Sequence, residues 1–206
     1  MPRMPSADRR RQLTEAAIRA MTRDGAARTT TRSIAAEAGV SLSVVHYCFD
    51  SKAELLEAVI EAITAHSVAL VREAIRRRPT LHETVRAGFQ AYWDHVCAQP
   101  GEHMLTYELT QYALRRPGLE HLAHRQYTRY QETYEELIVQ LSGAMGLVPR
   151  LPVPVLARYL AAMTDGLTLS ALALGETRTP HDPARARAGA PVLDLMTDQV
   201  TALLGR

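Results

Sequence analysis

An all-helical fold is what this sequence predicts, and three observations predict it. Apolar residues recur at spacings of three and four along nearly the whole chain. No segment shows the alternation that a half-buried strand needs. Glycine and proline punctuate the periodic stretches at intervals that suit helices. With 206 residues, 47% apolar and 22% charged, the chain can bury a substantial core and is globular in composition.

The elements follow in order. Leu13, Ala17 and Met21, flanked by Ala16, Ile18 and Ala20, mark a first helix that Asp8 can cap and Gly25 ends. A short helix over 31–38 sets Ile34, Ala35 and Ala38 on one face, and Gly39 breaks it. Ser41 suits the N-cap of another short helix, 42–48. After a turn at Phe49–Asp50–Ser51, capped by Asp50 or Ser51, a long helix starts near Lys52. It carries Leu55, Leu56, Val59, Ile60, Ile63, Leu70 and Val71, and stops at Arg78–Pro79. Leu81, Val85, Phe89, Tyr92 and Val96 form the stripe of the next helix, ended by Pro100–Gly101. A segment over 103–114 and a long helix over 119–141 follow. Pro149, Pro152 and Pro154 make a stiff connector. Apolar helices at 155–174 and 192–204 close the chain, with an exposed loop at 175–191 between them.

Composition divides the chain inside the fourth helix, giving domains 1–57 and 58–206. Residues 1–56 hold nine basic against six acidic side chains, whereas the whole chain has a net charge of only +2. Any polyanion site must therefore come from local placement near the N-terminus. Lys52 is the single lysine. Two cysteines, Cys48 and Cys97, make no disulfide framework and fit a reducing, cytoplasmic setting. The start of the chain lacks the apolar stretch of a signal peptide, and the apolar run at 159–175 is broken by Asp165, so no membrane association is expected. No nucleophile–base–acid set, phosphate loop or dinucleotide glycine pattern occurs, so neither an enzyme nor a cofactor is expected. His121 and His124 share a helix face but have no cysteine or carboxylate cluster to complete a metal site, so no metal is expected.

The segment from Thr29 to Leu56, TTTRSIAAEAGVSLSVVHYCFDSKAELL, is a helix, a glycine turn and a capped helix. Small residues at 35, 36 and 38 allow close approach, and Ile34, Val44, Val45 and Phe49 can fill the space between the two helices. This is the spacing of a helix-turn-helix, whose second helix enters the major groove. It resembles the DNA-binding signature of the TetR family of repressors in Thr30–Thr31 leading into IAAEAGVS, in the aromatic-rich short helix ending at Phe49, and in Ser51–Lys52 followed by Leu55–Leu56.

That resemblance implies an N-terminal three-helix DNA-binding domain followed by a larger helical ligand-binding and dimerisation domain. It also implies a homodimer that represses from a palindromic double-stranded DNA operator and is released by a small-molecule effector. Carried over residue by residue, phosphate contacts fall to Thr31, Tyr47 and Lys52, with Arg32 and Ser41 as further contacts. Base reading falls to Leu42, Ser43 and His46, with Tyr47 adjoining. His46 departs from the family pattern, which usually has tyrosine there. Arg3 and Arg9 to Arg11 read either as a solvated tail or as reaching DNA.

In the C-terminal part, Trp93, Tyr107, Tyr127 and Met163 are the candidate effector lining. Leu156, Leu160, Met163, Leu167, Ser170, Ala171 and Leu174 on one terminal helix, with Val192, Leu195, Met196, Val200, Leu203 and Leu204 on the other, suggest a dimer face. Two readings compete with the ligand-responsive repressor: an architectural DNA-binding protein without a ligand, and a helical enzyme or carrier that does not bind DNA.

Overall fold

The computed structural model describes residues 6–76, 78–177 and 189–205, and within them every regular element is a helix. In order they are α1 (Ser6–Asp24), α2 (Thr31–Glu37), α3 (Leu42–Cys48), α4 (Lys52–Ala74), α5 (Leu81–Ala98), α6 (Pro100–Leu114), α7 (Glu120–Met145), α8 (Val153–Leu174) and α9 (Ala190–Leu204). The all-α class expected from the sequence is the observed one.

Several ends differ from the sequence reading, and each has a local cause. Pro100 opens α6 instead of merely ending α5, because proline lacks only an N–H that the first helical turn cannot use. Pro154 and Pro191 likewise sit inside the first turns of α8 and α9. Asp8 is within α1 and pairs with Arg11 at 3.1 Å instead of capping. Most of the loop expected at 175–191 lies outside the described residues.

The chain packs as two compact units. The first comprises residues up to 64 together with 101–126. Its core joins Leu13 and Met21 of α1, Ile34 of α2, Val45 of α3, Leu55, Leu56 and Val59 of α4, and Leu105 and Leu109 of α6, all at most 2% exposed. Ala16, Ala17 and Ala20 are wholly buried on α1, and their small side chains let neighbouring helices approach closely. Each large apolar side chain in such a core contributes about 1.5–3 kcal/mol.

The second unit comprises 65–100 and residues from 127 onward. Val85, Phe89, Trp93 and Val96 of α5 pack with Ile138 of α7, Leu156 and Leu160 of α8, and Leu193, Met196, Val200 and Leu204 of α9. Arg86 on α5 pairs with Asp194 on α9 at 2.7 Å along the rim of this core. Gly189, the N-cap of α9, lies against the Trp93 ring, where an added Cβ would come within 2.6 Å of it.

Candidate nucleic-acid interface and small-molecule site

The turn between α2 and α3 is built by local rules. Thr30 caps α2: its hydroxyl accepts the Ser33 N–H at 3.1 Å, while Ser33 Oγ accepts the Thr30 N–H at 2.9 Å. Gly39 then takes φ +67°, a conformation that costs residues with a Cβ but not glycine, and Val40 N–H returns to Ala35 O at 3.0 Å. Gln12 of α1 donates to Ala38 O at 3.0 Å and so ties the turn to the body of the unit.

α3 presents two faces. Val45 and Phe49 are buried and Val44 packs beside them, as the sequence expects of the small core, and Cys48 is buried with them. Ser43, His46 and Tyr47 point outward, with Tyr47 70% exposed. Leu42 is half-buried. Ser41 holds the N-cap position, but its hydroxyl bonds Ser43 Oγ at 2.8 Å instead of the helix backbone, so it does not cap. Ser51 does cap α4, accepting the Glu54 N–H at 3.1 Å.

Thr31 begins α2 half-buried, and Arg32 beside it is exposed and makes no ion pair among the described residues. Lys52 begins α4. Its ammonium lies 3.5 Å from Thr29 O and 5.4 Å from the centre of the Tyr112 ring of α6, which Arg116 also covers at 4.8 Å. The outward face of α3 and these two cations are thus carried by one unit.

Other basic residues have structural partners. Arg10 donates to Cys48 O at 2.8 Å and to Glu54 at 2.6 Å, and its guanidinium lies over Phe49. Arg9 bonds Gln12. Arg9 to Arg11 are therefore part of α1 and not a tail; Arg3 is outside the described residues. Glu37 accepts from both Arg23, at 2.9 Å, and Arg19, at 3.0 Å, and the Arg23 hydrogen bond holds its carboxyl below the ordinary range. Sequence reasoning passed over Glu37, because its partners lie one helix away.

Of the effector candidates, Trp93, Tyr127 and Met163 belong to the second unit and Tyr107 to the first. Trp93 is sealed in the core, and Met163 packs against that core. Tyr127 is half-buried and donates to Asp165 Oδ2 at 3.2 Å. Around this pair lie groups that were not among the lining candidates. Tyr92 of α5 meets Thr168 Oγ1 at 2.7 Å, and Tyr134 of α7 meets Thr164 Oγ1 at 2.8 Å. Desolvation pushes the Tyr134 and Tyr127 hydroxyls up to about 12, and Tyr92 higher still. The available signal was Thr164, Asp165 and Thr168 interrupting the apolar run of the helix.

The apolar faces of α8 and α9 need correction. Leu156, Leu160, Ala171, Met196, Val200 and Leu204 are buried within their own chain. Leu174, Val192 and Leu195 are exposed as expected; the exposed side of α8 further carries Val155, Arg158, Tyr159, Ala162, Gly166, Leu169, Ser170 and Ala173, and that of α9 Gln199 and Ala202. A hydrogen bond of 2.9 Å from Tyr159 to Gln199 joins the two stripes into one surface.

Comparisons with known proteins agree with this geometry. Residues 13–59 match the family of bacterial regulatory proteins described as the tetR family, and residues 81–199 match the C-terminal family of BetI-type transcriptional repressors. The chain is 27% identical to the nicotine-responsive transcriptional repressor HdnoR of Paenarthrobacter nicotinovorans, over 96% of this chain and 98% of that protein. It is 30% identical to the transcriptional regulator BetI of Paraburkholderia xenovorans, over 82% and 84%. A TetR-family regulator from Rhodococcus sp. has the same fold, with a TM-score of 0.75 at 21% identity over 95% of this chain and 99% of that one.

Proposed function

The chain belongs to the TetR family of bacterial regulatory proteins, and from that premise we propose that it is a ligand-responsive transcriptional repressor. A homodimer holds a palindromic operator through α3 of each protomer, and a small molecule bound in the second unit releases it. The observation that carries this reading is the outward face of α3. Ser43, His46 and Tyr47 occupy successive outward positions of a two-turn helix, with Arg32 on α2 and Lys52 at the start of α4 in the same unit. Hydroxyl and imidazole groups suit base edges, and the cations suit phosphates.

The joined α8–α9 surface supports the homodimer. A second copy is the occupant that fits it, because the face is largely apolar and small-residue-rich and an isologous pair of two helices from each copy forms a four-helix bundle. The groups around Asp165 support an effector in the second unit. The relative HdnoR, which responds to nicotine, supports effector control in general.

The test is selection of purified protein against random duplex DNA, followed by light scattering of the complex. Enrichment of an inverted repeat bound by an even number of protomers is expected. Enrichment of no sequence would overturn the operator reading.

A further inference from the structure

The end of α6 and the residues just beyond it read YALRRP, Tyr112 to Pro117. The main chain there is fixed on both sides of Arg116. Its N–H donates to Ala113 O at 3.2 Å, its carbonyl accepts the Leu119 N–H at 3.0 Å, and Gly118 takes φ +88° to turn the chain into α7. Tyr112 is half-buried and packs against the core of the first unit. Its ring meets two cations of that unit: Arg116 Cζ lies 4.8 Å from the ring centre and Lys52 Nζ 5.4 Å. The two charges are therefore no more than about 10 Å apart.

Other arginines of the unit are matched by carboxylates. Arg10 pairs with Glu54, Arg19 and Arg23 with Glu37, and Arg125 with Glu57. Lys52 and Arg116 make no ion pair among the described residues. Glu120, the acidic residue nearest Arg116 in sequence, accepts the Gly118 N–H at 2.7 Å instead. The helix dipole accounts for an arginine just past the C-terminal end of α6, but it disfavours a lysine at the first position of α4. Two like charges gathered on one ring also repel each other. A bound anion offsets both costs. Duplex DNA carries one negative charge per about 1.7 Å of its axis, so a span of this size covers more than one phosphate. The ring stands beside the elements assigned to DNA, since Lys52 Nζ also lies 3.5 Å from Thr29 O, directly before the cap of α2.

We propose that Arg116 is a further phosphate contact for the operator, on a phosphate neighbouring the one assigned to Lys52, with Tyr112 as the positioning residue for both cations. The DNA-binding surface then reaches past the helix-turn-helix to the turn between α6 and α7. The assignment rests on the operator-binding reading above and enlarges its set of contacts. A guanidinium held over a ring keeps the N–H donors of its edge for phosphate oxygens. Holding it in place beforehand lowers the cost of ordering it on binding. Such a contact adds affinity, salt dependence and register, and leaves base preference alone.

Binding of the full-length protein to the selected DNA across a salt series, with phosphate ethylation interference to map the contacts, tests this. Arg116→Ala should weaken binding to every sequence alike and lower the salt slope by about one per protomer. It should also remove one interfering phosphate per half-site, different from the one lost in Lys52→Ala. Arg116→Lys keeps the charge and should keep most of the slope. Arg115→Ala removes an equally exposed charge that has no ring contact among the described residues, and should change the slope less. Tyr112→Leu keeps apolar packing but removes the ring and should weaken binding about threefold to tenfold, whereas Tyr112→Phe should bind as the wild type does. An unchanged salt slope and ethylation pattern in Arg116→Ala would overturn the proposal. Equal losses in Arg115→Ala and Arg116→Ala would also overturn it, because they would mean general attraction instead of a held contact. Either result leaves the operator reading standing, since the wild type still selects its site. A wild type that selects no sequence removes that reading and this contact together.

Discussion

The carboxylate of Glu108, on α6, accepts the backbone N–H of Ala26 at 3.0 Å, in the turn that follows α1. Ala26 is buried, so without Glu108 that N–H would lose its partner among the described residues. Together with Tyr112 against Lys52, this bond makes α6 part of the same packed unit as α1, α2 and α3.

Glu108→Ala should therefore destabilise the protein by about 1–2 kcal/mol, the usual cost of an orphaned buried donor. Glu108→Gln keeps an acceptor and should cost less. Urea denaturation followed by circular dichroism measures both, and equal loss in the two variants would show that charge, not the acceptor, matters.

The fold was legible in the sequence because helical periodicity is a local property. Leu13, Ile34, Val45 and Leu55 were placed in a core from their spacing, and the core contains them. The outward face of α3 was legible for the same reason. Contacts made across helices were not. Glu37 with Arg19 and Arg23, Glu108 with Ala26, and Tyr92 with Thr168 all join residues remote in sequence, and no periodicity announces such pairs. The expected dimer face mixed inward and outward residues because α8 and α9 are apolar on more than one side, so pattern alone could not tell Leu160, turned inward, from Leu169, turned outward.

Leu169→Glu combined with Leu195→Glu should give monomers. These side chains are 49% and 58% exposed in the single chain, so the change leaves its own core intact but puts carboxylates into the proposed interface. Leu160→Glu, at a site only 5% exposed, should instead unfold the second unit. Light scattering separates the outcomes. The melting temperature of the wild type should also rise with protein concentration, as expected when association is linked to folding. A concentration-independent melt together with a monomeric wild type would remove the dimer.

Gly189→Ala should destabilise by about 1–3 kcal/mol through overpacking. Its new Cβ would lie 2.6–2.9 Å from three atoms of the Trp93 ring, which has no exposed surface and no free space to retreat into. Backbone strain plays no part, since φ at Gly189 is −73°. Gly143→Ala, on α7 with nothing within 4 Å of the added Cβ, is the control and should be neutral or stabilising. Equal destabilisation of both would refute the contact argument.

Acid should weaken the packing of α1 on α2. Glu37 has its carboxyl held below the unperturbed 4.5 by hydrogen bonds first from Arg23 and then from Arg19. A depressed folded-state pKa means that the contribution is complete above 4.5 and is lost as pH falls below it. Glu37→Gln should lower the melting temperature at pH 7 slightly and flatten its fall below pH 4.5. A variant with the same acid limb as the wild type would exclude Glu37 as its source.

Lys52 and His46 should divide the work of DNA binding between position and sequence. Lys52 sits at the first turn of α4, where the helix dipole disfavours a cation unless an anion compensates. Its ammonium lies 3.5 Å from Thr29 O and 5.4 Å from the centre of the Tyr112 ring, and a phosphate is the further partner proposed for it. His46 stands on the exposed face of α3 beside Ser43 and Tyr47, where a two-turn helix can offer only a few side chains to the groove floor. Phosphates carry no sequence information, so Lys52→Ala should weaken binding to every site alike and reduce the salt slope by about one per protomer. His46→Ala should change the preferred base pairs, with a loss of about 1–3 kcal/mol at the position it reads. Binding to the selected site and to randomised sites across a salt series measures both. A Lys52→Ala variant with altered base preference and an unchanged salt slope would reverse the two roles.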